Sequence, residues 1–567
     1  MLQLQAGKFS LNYENGFIRY ILNGKTEVIR MIYFAFRDES WTTYQLIIEN
    51  EKIVKEKDSF LIEYDCLNKK EEKTIFKWKV RIEGNQDGSI VFAIHGEALT
   101  DVLKNRAGLC ILHPITDTPG QPVEITHTDN SVSKSKFPNH VSPVNPFKDI
   151  RSMKWMTSEE WYTLDFEGDV FETEDQRNWT DASFKTFCTP LALPSPVKLS
   201  KGTHVDQKIR FSCEQSFSNI LPLKKDLIRI TVDRQESQLP SIGLGTPPEK
   251  TRLTQAATNA IKKLNLSHYR IDIFTSKSDW ISTFSAACVD ALALGLDPEV
   301  ILHLPPDFAG AIEQFAGLCI QNRLKIKQLL LLQDGSPTTP QPVINSIAKL
   351  KSDLPGVLIG AGTHFNFNEL NQNRFDPGAV DFISYAIHPQ EHAFDNRSMI
   401  ENLEAQKDTA LNARMMYNGL PVHVSPVTLR KRFNPYSKEP SRKVQSDEQR
   451  TDPRQSSPFC AAWTLGSIKR LTEGQASSIT YFQTIGDQGI IDVNDRPFPV
   501  YEAFNLIGSC SKKILKTQSD SPLVADAMQF SDGKFILWNY TEEKQSIEVN
   551  EQRFDLAPFE LKIGDNK

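Results

Sequence analysis

Charged and aromatic side chains are closely interleaved between Phe171 and Lys185. The charged members of this segment are Glu172, Glu174, Asp175, Arg177, Asp181 and Lys185, with Trp179 among them. Their order follows neither the alternation of a half-buried strand nor the period of an amphipathic helix. Such a mixture is typical of charges that are paired in a cleft or arranged around a polar ligand, so we expect a wall of an active site. A surface loop with exposed ion pairs is the alternative.

A second set of polar residues occurs where apolar runs end in the second half of the chain. The set comprises Arg270, Asp272, His303, Gln333, Asp334 and Gln483, with the segments 363–371, 388–395 and 425–434. If the runs are parallel barrel strands, their carboxyl ends meet on one rim, where barrel enzymes carry their active sites. So many titratable groups would be costly in a purely structural rim. We therefore expect catalysis or ligand binding there.

Asp272 and Glu369 are the candidate general bases. Arg270 and Asp272 are two residues apart in a predicted strand, so both side chains point to one face. They form either a structural ion pair or a base beside a substrate clamp. Glu369 closely follows the fifth predicted barrel strand and is an equal candidate.

His388 is the candidate general acid, because an unperturbed imidazole titrates near neutrality. His388 and His392 are four residues apart, which is also the spacing of a helical metal pair. Pro389 indicates a loop instead, and no matching third ligand stands at a fixed spacing. We therefore expect neither a metal nor another cofactor.

These residues need a scaffold, and the sequence from about Leu227 predicts one by alternating apolar strands with amphipathic helices. The predicted strands are 242–245, 268–273, 300–304, 328–332, 357–362, 382–387, 422–425 and 478–482. The predicted helices are 250–264, 280–294, 308–322, 341–350, 396–415 and 459–471. Eight such units in one run predict a (β/α)8 TIM barrel.

Two β-rich regions flank the predicted barrel. Short β-branched and aromatic strands separated by turns such as Asn23-Gly24 and Asp87-Gly88 predict an N-terminal antiparallel β-sandwich. Strand patterns after Asn505 predict a small C-terminal β domain. The expected fold class is thus multidomain, with a β-sandwich over 1–225, a catalytic barrel over 226–505 and a β domain over 506–567.

Composition narrows the class of protein. The formal net charge of -6 gives no reason to expect nucleic acid or an anionic membrane as a partner. The eight cysteines are scattered without a CxxC motif, which favours reduced thiols. We see neither a secretory signal nor an apolar run of the length that crosses a bilayer. These features predict a cytoplasmic protein, while the oligomeric state stays open.

A barrel glycosidase is the main catalytic alternative. Retaining glycosidases need two carboxyl groups about 5–5.5 Å apart. Many such barrels carry them as glutamates at the ends of strands 4 and 7, where this chain has Gln333-Asp334 and Ser425. The missing pair weakens this alternative, although Glu174, Asp175, Asp272 and Glu369 could pair differently.

Several motifs spread over nearly the whole chain resemble the D-apionate lactonase family of bacterial sugar catabolism. The segment 171–185 is the longest of them. The others are Gly168-Asp169, Asn105-Arg106, His113-Pro114, His127 with Asp129, Pro146-Phe147 with Asp149, Ser425-Pro426, Arg430, Arg432-Phe433-Asn434-Pro435, Asp452, Arg454-Gln455, Trp463-Thr464 and Thr480-Tyr481. This resemblance implies a lactonase, a hydrolase that opens D-apionolactone to D-apionate. Gln483 departs from the family pattern, which favours Glu there.

Lactone hydrolysis requires a base to activate water, donors for the oxyanion and an acid for the leaving oxygen. We predict Asp272 or Glu369 as base and His388 as acid. The predicted substrate-binding residues are Glu174, Asp175, Arg177, Arg270, His364, Gln390 and Arg430. Trp179 could offer a flat face to the sugar ring. A non-catalytic carbohydrate-binding barrel stays open as a further alternative, and Gln483 is its best support.

Overall fold

A computed structural model describes residues 1–214, 227–248, 251–435 and 446–565. The chain divides into two compact units. The N-terminal unit contains residues 1–176 and 182–224, and the barrel unit contains residues 177–181 and 225–567. The predicted boundary at 225/226 falls in residues 215–226, outside the described residues.

The N-terminal unit is built from antiparallel strands. They are β1 (Leu2–Ala6), β2 (Phe9–Glu14), β3 (Phe17–Asn23), β4 (Thr26–Arg37), β5 (Leu46–Lys55), β6 (Phe60–Lys70), β7 (Lys73–Gly84), β8 (Ile90–Ala98), β9 (Val102–Lys104), β10 (Arg106–Pro114), β11 (Pro122–Thr126), β12 (Val132–Lys136), β13 (Phe147–Ile150), β14 (Ser152–Thr157), β15 (Glu160–Glu167), β16 (Phe171–Asp175), β17 (Ser183–Phe187), β18 (Val197–Leu199) and β19 (His204–Cys213).

Most of these strands form two large sheets. One has the order β1-β2-β3-β4-β10-β17-β16-β13 and the other the order β12-β11-β14-β15-β19-β8-β7-β6-β5, while β18 pairs with β9. Aromatic side chains join the two sheets. The ring centres of Phe34 in the first sheet and Trp78 in the second are 5.1 Å apart, and those of Phe9 and Phe211 are also 5.1 Å apart. The alternation of buried and exposed residues along β7 shows why the sequence pattern predicted these strands.

The barrel unit contains a closed ring of eight parallel strands. They are β21 (Ser241–Gly245), β22 (His268–Phe274), β23 (Asp297–Leu304), β24 (Gln328–Gln333), β25 (Leu358–Gly362), β26 (Phe382–Ile387), β27 (Val422–Val427) and β28 (Ser478–Ile485). Pairing of β21 with β28 closes the ring, and the short β29 (Gly489–Ile491) pairs with β28. The predicted TIM barrel is confirmed.

Helices cover the outside of the ring. They are α1 (Gln255–Lys262), α2 (Trp280–Leu294), α3 (Ala309–Gln321), α4 (Gln341–Asn345), α5 (Ile347–Asp353), α6 (Phe367–Gln372), α7 (Asn396–Glu401), α8 (Leu403–Met416), α9 (Asp447–Arg450), α10 (Pro458–Glu473) and α11 (Pro499–Gly508). Short 3-10 helices span Gln176–Trp179 and Pro453–Ser456. Among the helices of the described ranges, none is long and apolar enough to span a membrane.

A seven-stranded sheet completes the barrel unit. Its strands are β20 (Ile228–Gln238), β30 (Lys513–Ser519), β31 (Ala525–Phe530), β32 (Lys534–Asn539), β33 (Gln545–Val549), β34 (Gln552–Leu556) and β35 (Leu561–Asp565), in the order β34-β33-β20-β30-β31-β32-β35. The predicted C-terminal β region is confirmed. The strand β20, which precedes the barrel in sequence, joins this sheet by pairing with β30 and β33.

Candidate active site

A column of polar side chains runs up the inside of the barrel along β22. His268, Arg270 and Asp272 alternate with Tyr269, Ile271 and Ile273, so the strand period places the three polar side chains on the inner face. All three nitrogens of the Arg270 guanidinium are used. Its Nε and Nη2 donate to the Asp272 carboxylate at 3.0 and 2.7 Å, and Nη1 donates to Ser425 Oγ at 2.8 Å. Arg270 is therefore committed to the framework.

Glu299 on β23 anchors the lower part of this column. The Ser425 and Thr480 hydroxyls donate to its Oε2 at 3.0 and 2.8 Å. His268 Nε2 lies 3.6 Å from the same oxygen. Burial raises the pKa of Glu299, but His268 and Arg270 outweigh it and bring the pKa below its ordinary value. A buried carboxylate is thus held by hydrogen bonds and by the nearby Arg270 guanidinium.

Asp272 lies above this layer and accepts hydrogen bonds from three side chains. Besides Arg270, Arg432 Nη2 donates to its Oδ2 at 2.8 Å, and His303 Nε2 lies 3.2 Å from its Oδ1. Burial raises the pKa of Asp272, but the Arg270 and Arg432 guanidinium groups hold that pKa well below its usual range. A carboxylate held in this way is a weak proton acceptor and a strong anchor for Arg432.

One nitrogen of the Arg432 guanidinium lacks an acceptor among the described residues. Its Nη1 is buried and has no hydrogen-bond partner among the described residues, whereas its Nη2 binds Asp272. The guanidinium also lies 5.3 Å from the centre of the Phe433 ring. A buried guanidinium donor without an acceptor is costly in a folded protein, and it suits a ligand that brings an oxygen.

Arg432 belongs to the lining of a pocket at the carboxyl ends of strands β25, β26 and β27. The pocket has a volume of about 310 Å³, including the space at its open side. It is lined by His364, Phe365, Asn366, Ala386, Ile387, His388, Pro426, Thr428, Lys431, Arg432, Phe433 and Pro435.

His364 stands in this pocket with both ring nitrogens buried and without a hydrogen-bond partner in the described ranges. Its ring is stacked on Phe433, with the ring centres 4.2 Å apart. Burial lowers the pKa of His364 well below its usual range, and the neighbouring His303 and Arg432 act in the same direction. His364 is therefore a neutral imidazole with hydrogen-bonding capacity to offer.

His388 follows β26 and also lines the pocket. Its Nε2 lies 3.1 Å from Asn366 Nδ2 and 3.4 Å from Glu391 Oε2. Its Nδ1 is buried and makes no hydrogen bond to any residue that the structure describes. Burial lowers the pKa of His388 to about 4, although Glu391 acts in the opposite direction. At neutral pH the imidazole is uncharged and able to accept a proton.

Gln390 and Arg430 are occupied by protein contacts. Gln390 Nε2 donates to Leu429 O and to Asp452 Oδ2, both at 2.7 Å, and its Oε1 accepts from Arg454 at 2.7 Å. Arg430 Nε donates to Asp452 Oδ2 at 3.1 Å. These contacts join Leu429 and Arg430 to Asp452 and Arg454, and residues 436–445 between them lie outside the described residues.

Glu369 lies on α6, the helix that follows β25. Its side chain is buried, and its Oε1 accepts a hydrogen bond from Asn368 Nδ2 at 3.1 Å. It is not one of the residues that line the described pocket.

Residues 177–181 cluster with the barrel although both flanks belong to the N-terminal unit. Arg177 Nη1 donates to Asp408 Oδ2 on α8 at 2.8 Å. Asp181 Oδ2 lies 2.6 Å from His392 Nδ1, and the Trp179 ring meets the His392 ring edge-on at 5.5 Å. This short stretch is thus fastened to the segments that follow strand β26.

Glu174 and Asp175 are described within the N-terminal unit. Lys185 Nζ donates to Glu174 Oε1 at 3.1 Å, and both side chains are almost completely buried. Asp175 Oδ2 accepts from the backbone N–H of Ser142 at 2.9 Å. Their predicted role in substrate binding stays a prediction.

The sequence analysis did not single out Asn366, Glu391 or Lys431, although all three lie beside predicted residues. Glu391 stands three residues after His388, and a His–Glu pair at that spacing was the available signal. From sequence, Arg432 was part of the motif Arg432-Phe433-Asn434-Pro435 and had no assigned role. In the described part of the chain, no group of three or more His, Cys, Asp or Glu side chains is placed to hold a metal ion.

Comparison with known proteins gives matches along most of the chain. The N-terminal domain model of D-apionate lactonase matches residues 1–216, and the TIM barrel domain model of D-apionate lactonase matches residues 242–512. A curated D-apionate lactonase of Brucella anthropi is 26% identical over 593 aligned positions, which cover 98% of this chain and 95% of that protein.

Solved structures give weaker matches. A monomeric β-xylosidase from Caulobacter crescentus CB15 is 12% identical with a TM-score of 0.38, over 56% of this chain and 77% of that chain. A family 39 glycoside hydrolase from Bacteroides cellulosilyticus WH2 is 10% identical with a TM-score of 0.39, over 81% of this chain and 96% of that chain. Likeness at these TM-scores says nothing about activity.

Proposed function

The chain belongs to the D-apionate lactonase family, and we propose that it hydrolyses the ring ester of a sugar lactone, D-apionolactone, to the open-chain aldonate. The reaction would serve bacterial carbohydrate catabolism, and a cytoplasmic location remains the prediction from sequence. The substrate of such a lactonase is a small molecule, a sugar lactone.

One observation carries the proposal of a site. Four side chains of the rim pocket hold buried polar atoms that no described residue satisfies, namely Arg432, His364, Asn366 and His388. Folded proteins satisfy nearly all buried polar groups, so a cluster of exceptions in one pocket at the carboxyl end of a barrel favours a ligand site. A sugar lactone offers a carbonyl oxygen, a ring oxygen and hydroxyl groups to these atoms.

His388 is proposed to carry both proton transfers. The neutral imidazole takes a proton from water while the water oxygen bonds to the lactone carbonyl carbon, and the carbonyl π pair moves to its oxygen. When that pair returns, the bond from carbon to the ring oxygen breaks. The imidazolium then gives its proton to the ring oxygen, which becomes a hydroxyl group. Lactone and water thus yield one hydroxy acid, which ionises in solvent.

Arg432 is proposed to stabilise the oxyanion. Its Nη1 is the buried guanidinium donor without a partner in the described residues, and it lines the same pocket as His388. Donors that are already oriented where negative charge develops lower the barrier most when water is excluded. Asp272 supports this role by fixing the opposite nitrogen of the same guanidinium.

The roles predicted from sequence change accordingly. Two guanidinium groups occupy Asp272, which favours a positioning role over that of a base. Glu369 remains the alternative base. His364 is proposed to bind the substrate, whereas Arg270, Gln390 and Arg430 support the framework through their protein contacts. For Glu174, Asp175 and Arg177, substrate binding remains a proposal.

Substrate entry requires a local movement. The unpartnered atoms are buried, and Phe433 covers one face of the His364 ring. A ligand reaches them when the Phe433 side chain or the loop that carries it shifts.

Acid release tests the proposed activity. The purified protein is incubated with D-apionolactone in a pH-stat, in parallel with other aldonolactones and aryl glycosides. We expect acid release from the lactone and no aglycone from the glycosides. Aglycone release would support a glycosidase, and calorimetric binding without acid release would support a non-catalytic binder, the alternative that Gln483 suggested. Either result would overturn the proposal.

Single substitutions separate the candidate bases. We expect His388→Gln to lose about 10²–10⁴-fold in kcat, the range for general acid–base groups. Glu369→Gln should keep its kcat within about fivefold. Asp272→Asn should reduce kcat because Arg432 is no longer held in place. It should not move the acid limb of the pH profile, the decrease in rate toward low pH. A Glu369→Gln variant as inactive as His388→Gln would transfer the role of base to Glu369.

A further inference from the structure

The two ring nitrogens of His388 have different surroundings. Nε2 faces two polar groups, Asn366 Nδ2 at 3.1 Å and Glu391 Oε2 at 3.4 Å. Nδ1 faces none of the described polar groups at hydrogen-bond distance, although His388 lines the pocket. An imidazole in such an environment is chemically polarised, because one nitrogen has a carboxylate neighbour and the other does not.

Glu391 is held in place from its other side. Lys431 Nζ donates to Glu391 Oε1 at 3.3 Å, and only 11% of the Glu391 side chain is exposed. Burial raises the pKa of Glu391, but His388 and Lys431 outweigh it and bring the pKa below its ordinary value. Glu391 is therefore an ionised carboxylate at neutral pH, and it can only accept hydrogen bonds.

The carboxylate determines which nitrogen of His388 carries the proton. An Nε2–H group turns its positive hydrogen toward the Glu391 carboxylate, 3.4 Å away, whereas a bare Nε2 would place its lone pair against a negative oxygen. The Asn366 side chain supports the same tautomer of His388 when the positions of its amide oxygen and nitrogen are exchanged. Its Oδ1 is buried without a partner in the described residues, and exchanging Oδ1 and Nδ2 gives Nε2–H a second acceptor. Both neighbours then favour the same tautomer.

We propose that Glu391 is a positioning residue that holds His388 in the Nε2–H tautomer and leaves Nδ1 as the atom that accepts the proton from water. This inference rests on the proposed lactone hydrolysis. Glu391 contacts no reacting atom. It acts by orienting the imidazole, and its charge stabilises the imidazolium that forms when Nδ1 takes the proton and persists until the ring oxygen receives it.

Three ionisable groups face His388, namely Glu391, Lys431 and His392. Glu391 raises the pKa of His388, while Lys431 and His392 lower it. Removal of the Glu391 charge therefore lowers the pKa of His388 further below about 4. The acid limb of a reaction that depends on neutral His388 should move in the same direction, to lower pH.

Kinetics of Glu391→Gln test the positioning role. We expect kcat to fall about 10- to 100-fold with KM within twofold, and the acid limb of kcat/KM to move to lower pH. Glu391→Asp should restore part of the lost kcat. The matched control is Glu313→Gln on α3, which removes an exposed ion pair with Lys349 of α5 and should behave like the wild type. An unmoved acid limb or an unchanged kcat in Glu391→Gln would overturn the inference.

The tautomer is measured without any substrate. Long-range proton–nitrogen correlation spectra of protein labelled with ¹⁵N-histidine, assigned with His388→Gln, report the protonated nitrogen. The inference expects an unprotonated Nδ1 in the wild type and a shift toward Nδ1–H in Glu391→Gln. A wild-type Nδ1–H tautomer, or an identical spectrum in Glu391→Gln, would contradict it. If the wild type shows the expected tautomer but hydrolyses no lactone, the proposed function fails and the assignment of Glu391 to the tautomer stands.

Discussion

Arg270 and Arg432 bind the same carboxylate, that of Asp272, from two different regions of the barrel. Arg270 belongs to the interior column, and each of its nitrogens has a protein acceptor. Arg432 belongs to the rim pocket, and its Nη1 has none among the described residues. Two residues with identical chemistry thus serve different ends. Where the acceptors are complete, a buried charge builds the scaffold; where one is missing, the charge is available to a ligand.

The largest effect is expected from Arg270→Met. It takes two hydrogen bonds from Asp272 and one from Ser425, and it leaves two buried carboxylates, Asp272 and Glu299, with less compensation. Loss of one partner of a buried pair costs about 3–5 kcal/mol. Urea unfolding should show a loss of this size. A free energy of unfolding within about 1 kcal/mol of the wild type would mean that the interior column is not structural.

Arg432→Met is expected to have the opposite profile. Asp272 keeps Arg270, so stability should change little, while loss of the proposed oxyanion donor lowers kcat about 10²–10³-fold. The matched control is Arg430→Met in the same loop, whose side chain is 37% exposed and paired with Asp452. Steady-state kinetics and thermal melts of both variants separate the roles. If Arg430→Met were as inactive as Arg432→Met, loop order would explain the loss.

His423 and His388 allow the barrel interior and the rim pocket to be compared by their pH dependence. Burial lowers the pKa of both to about 4, below the ordinary 6.5. Between pH 6.5 and 4 these two histidines are protonated in the unfolded chain but stay neutral in the folded protein. The free energy of unfolding therefore decreases as the pH falls through that window. His423→Gln should reduce the slope of stability against pH by up to about 1.4 kcal/mol per pH unit.

The same variant should leave the acid limb of kcat/KM unchanged, because His423 on β27 is not among the residues that line the rim pocket. Its Nδ1 lies 4.0 Å from Glu299 Oε1, and its ring stacks on Phe382 with the ring centres 3.9 Å apart. Denaturant titrations give the slope of stability against pH, and rates at the same pH values give the position of the acid limb. If His423→Gln moved the acid limb, protonation in the barrel interior and in the rim pocket would be coupled.

The smallest effect is expected from Phe433→Ala. It removes the ring stacked on His364 and loosens one wall of the pocket. We expect KM to rise about three- to tenfold with kcat within threefold, measured by initial rates over a range of lactone concentrations. An unchanged KM would show that the stacked pair does not border the bound substrate.

The sequence was most informative where a period links residues to a face. Alternation along β22 placed Arg270 and Asp272 on one side, and the structure joins them by two hydrogen bonds. The strands and helices of the barrel were predictable for the same reason. The helix over 280–294 matches α2, whose buried positions recur at three and four residues.

The rim was harder to predict because loops have no period. Nothing in the spacing of Arg432 shows that it reaches back to Asp272, which lies 160 residues away in sequence. The pairing of Glu391 with Lys431 also joins separate loops, 40 residues apart in sequence. The segment 171–185 was recognised as unusual, yet its division between two units depends on tertiary contacts such as Arg177 with Asp408.

A crystal structure with bound D-apionate would show which groups converge on the ligand. We expect the carboxylate within about 3.2 Å of Arg432 Nη1, with His388 Nδ1 and the His364 ring facing the same ligand. We also expect that the Arg270 contacts with Asp272 and Ser425 stay as they are. An aldonate bound away from the rim pocket, or one held by Arg270 in place of Arg432, would contradict the account.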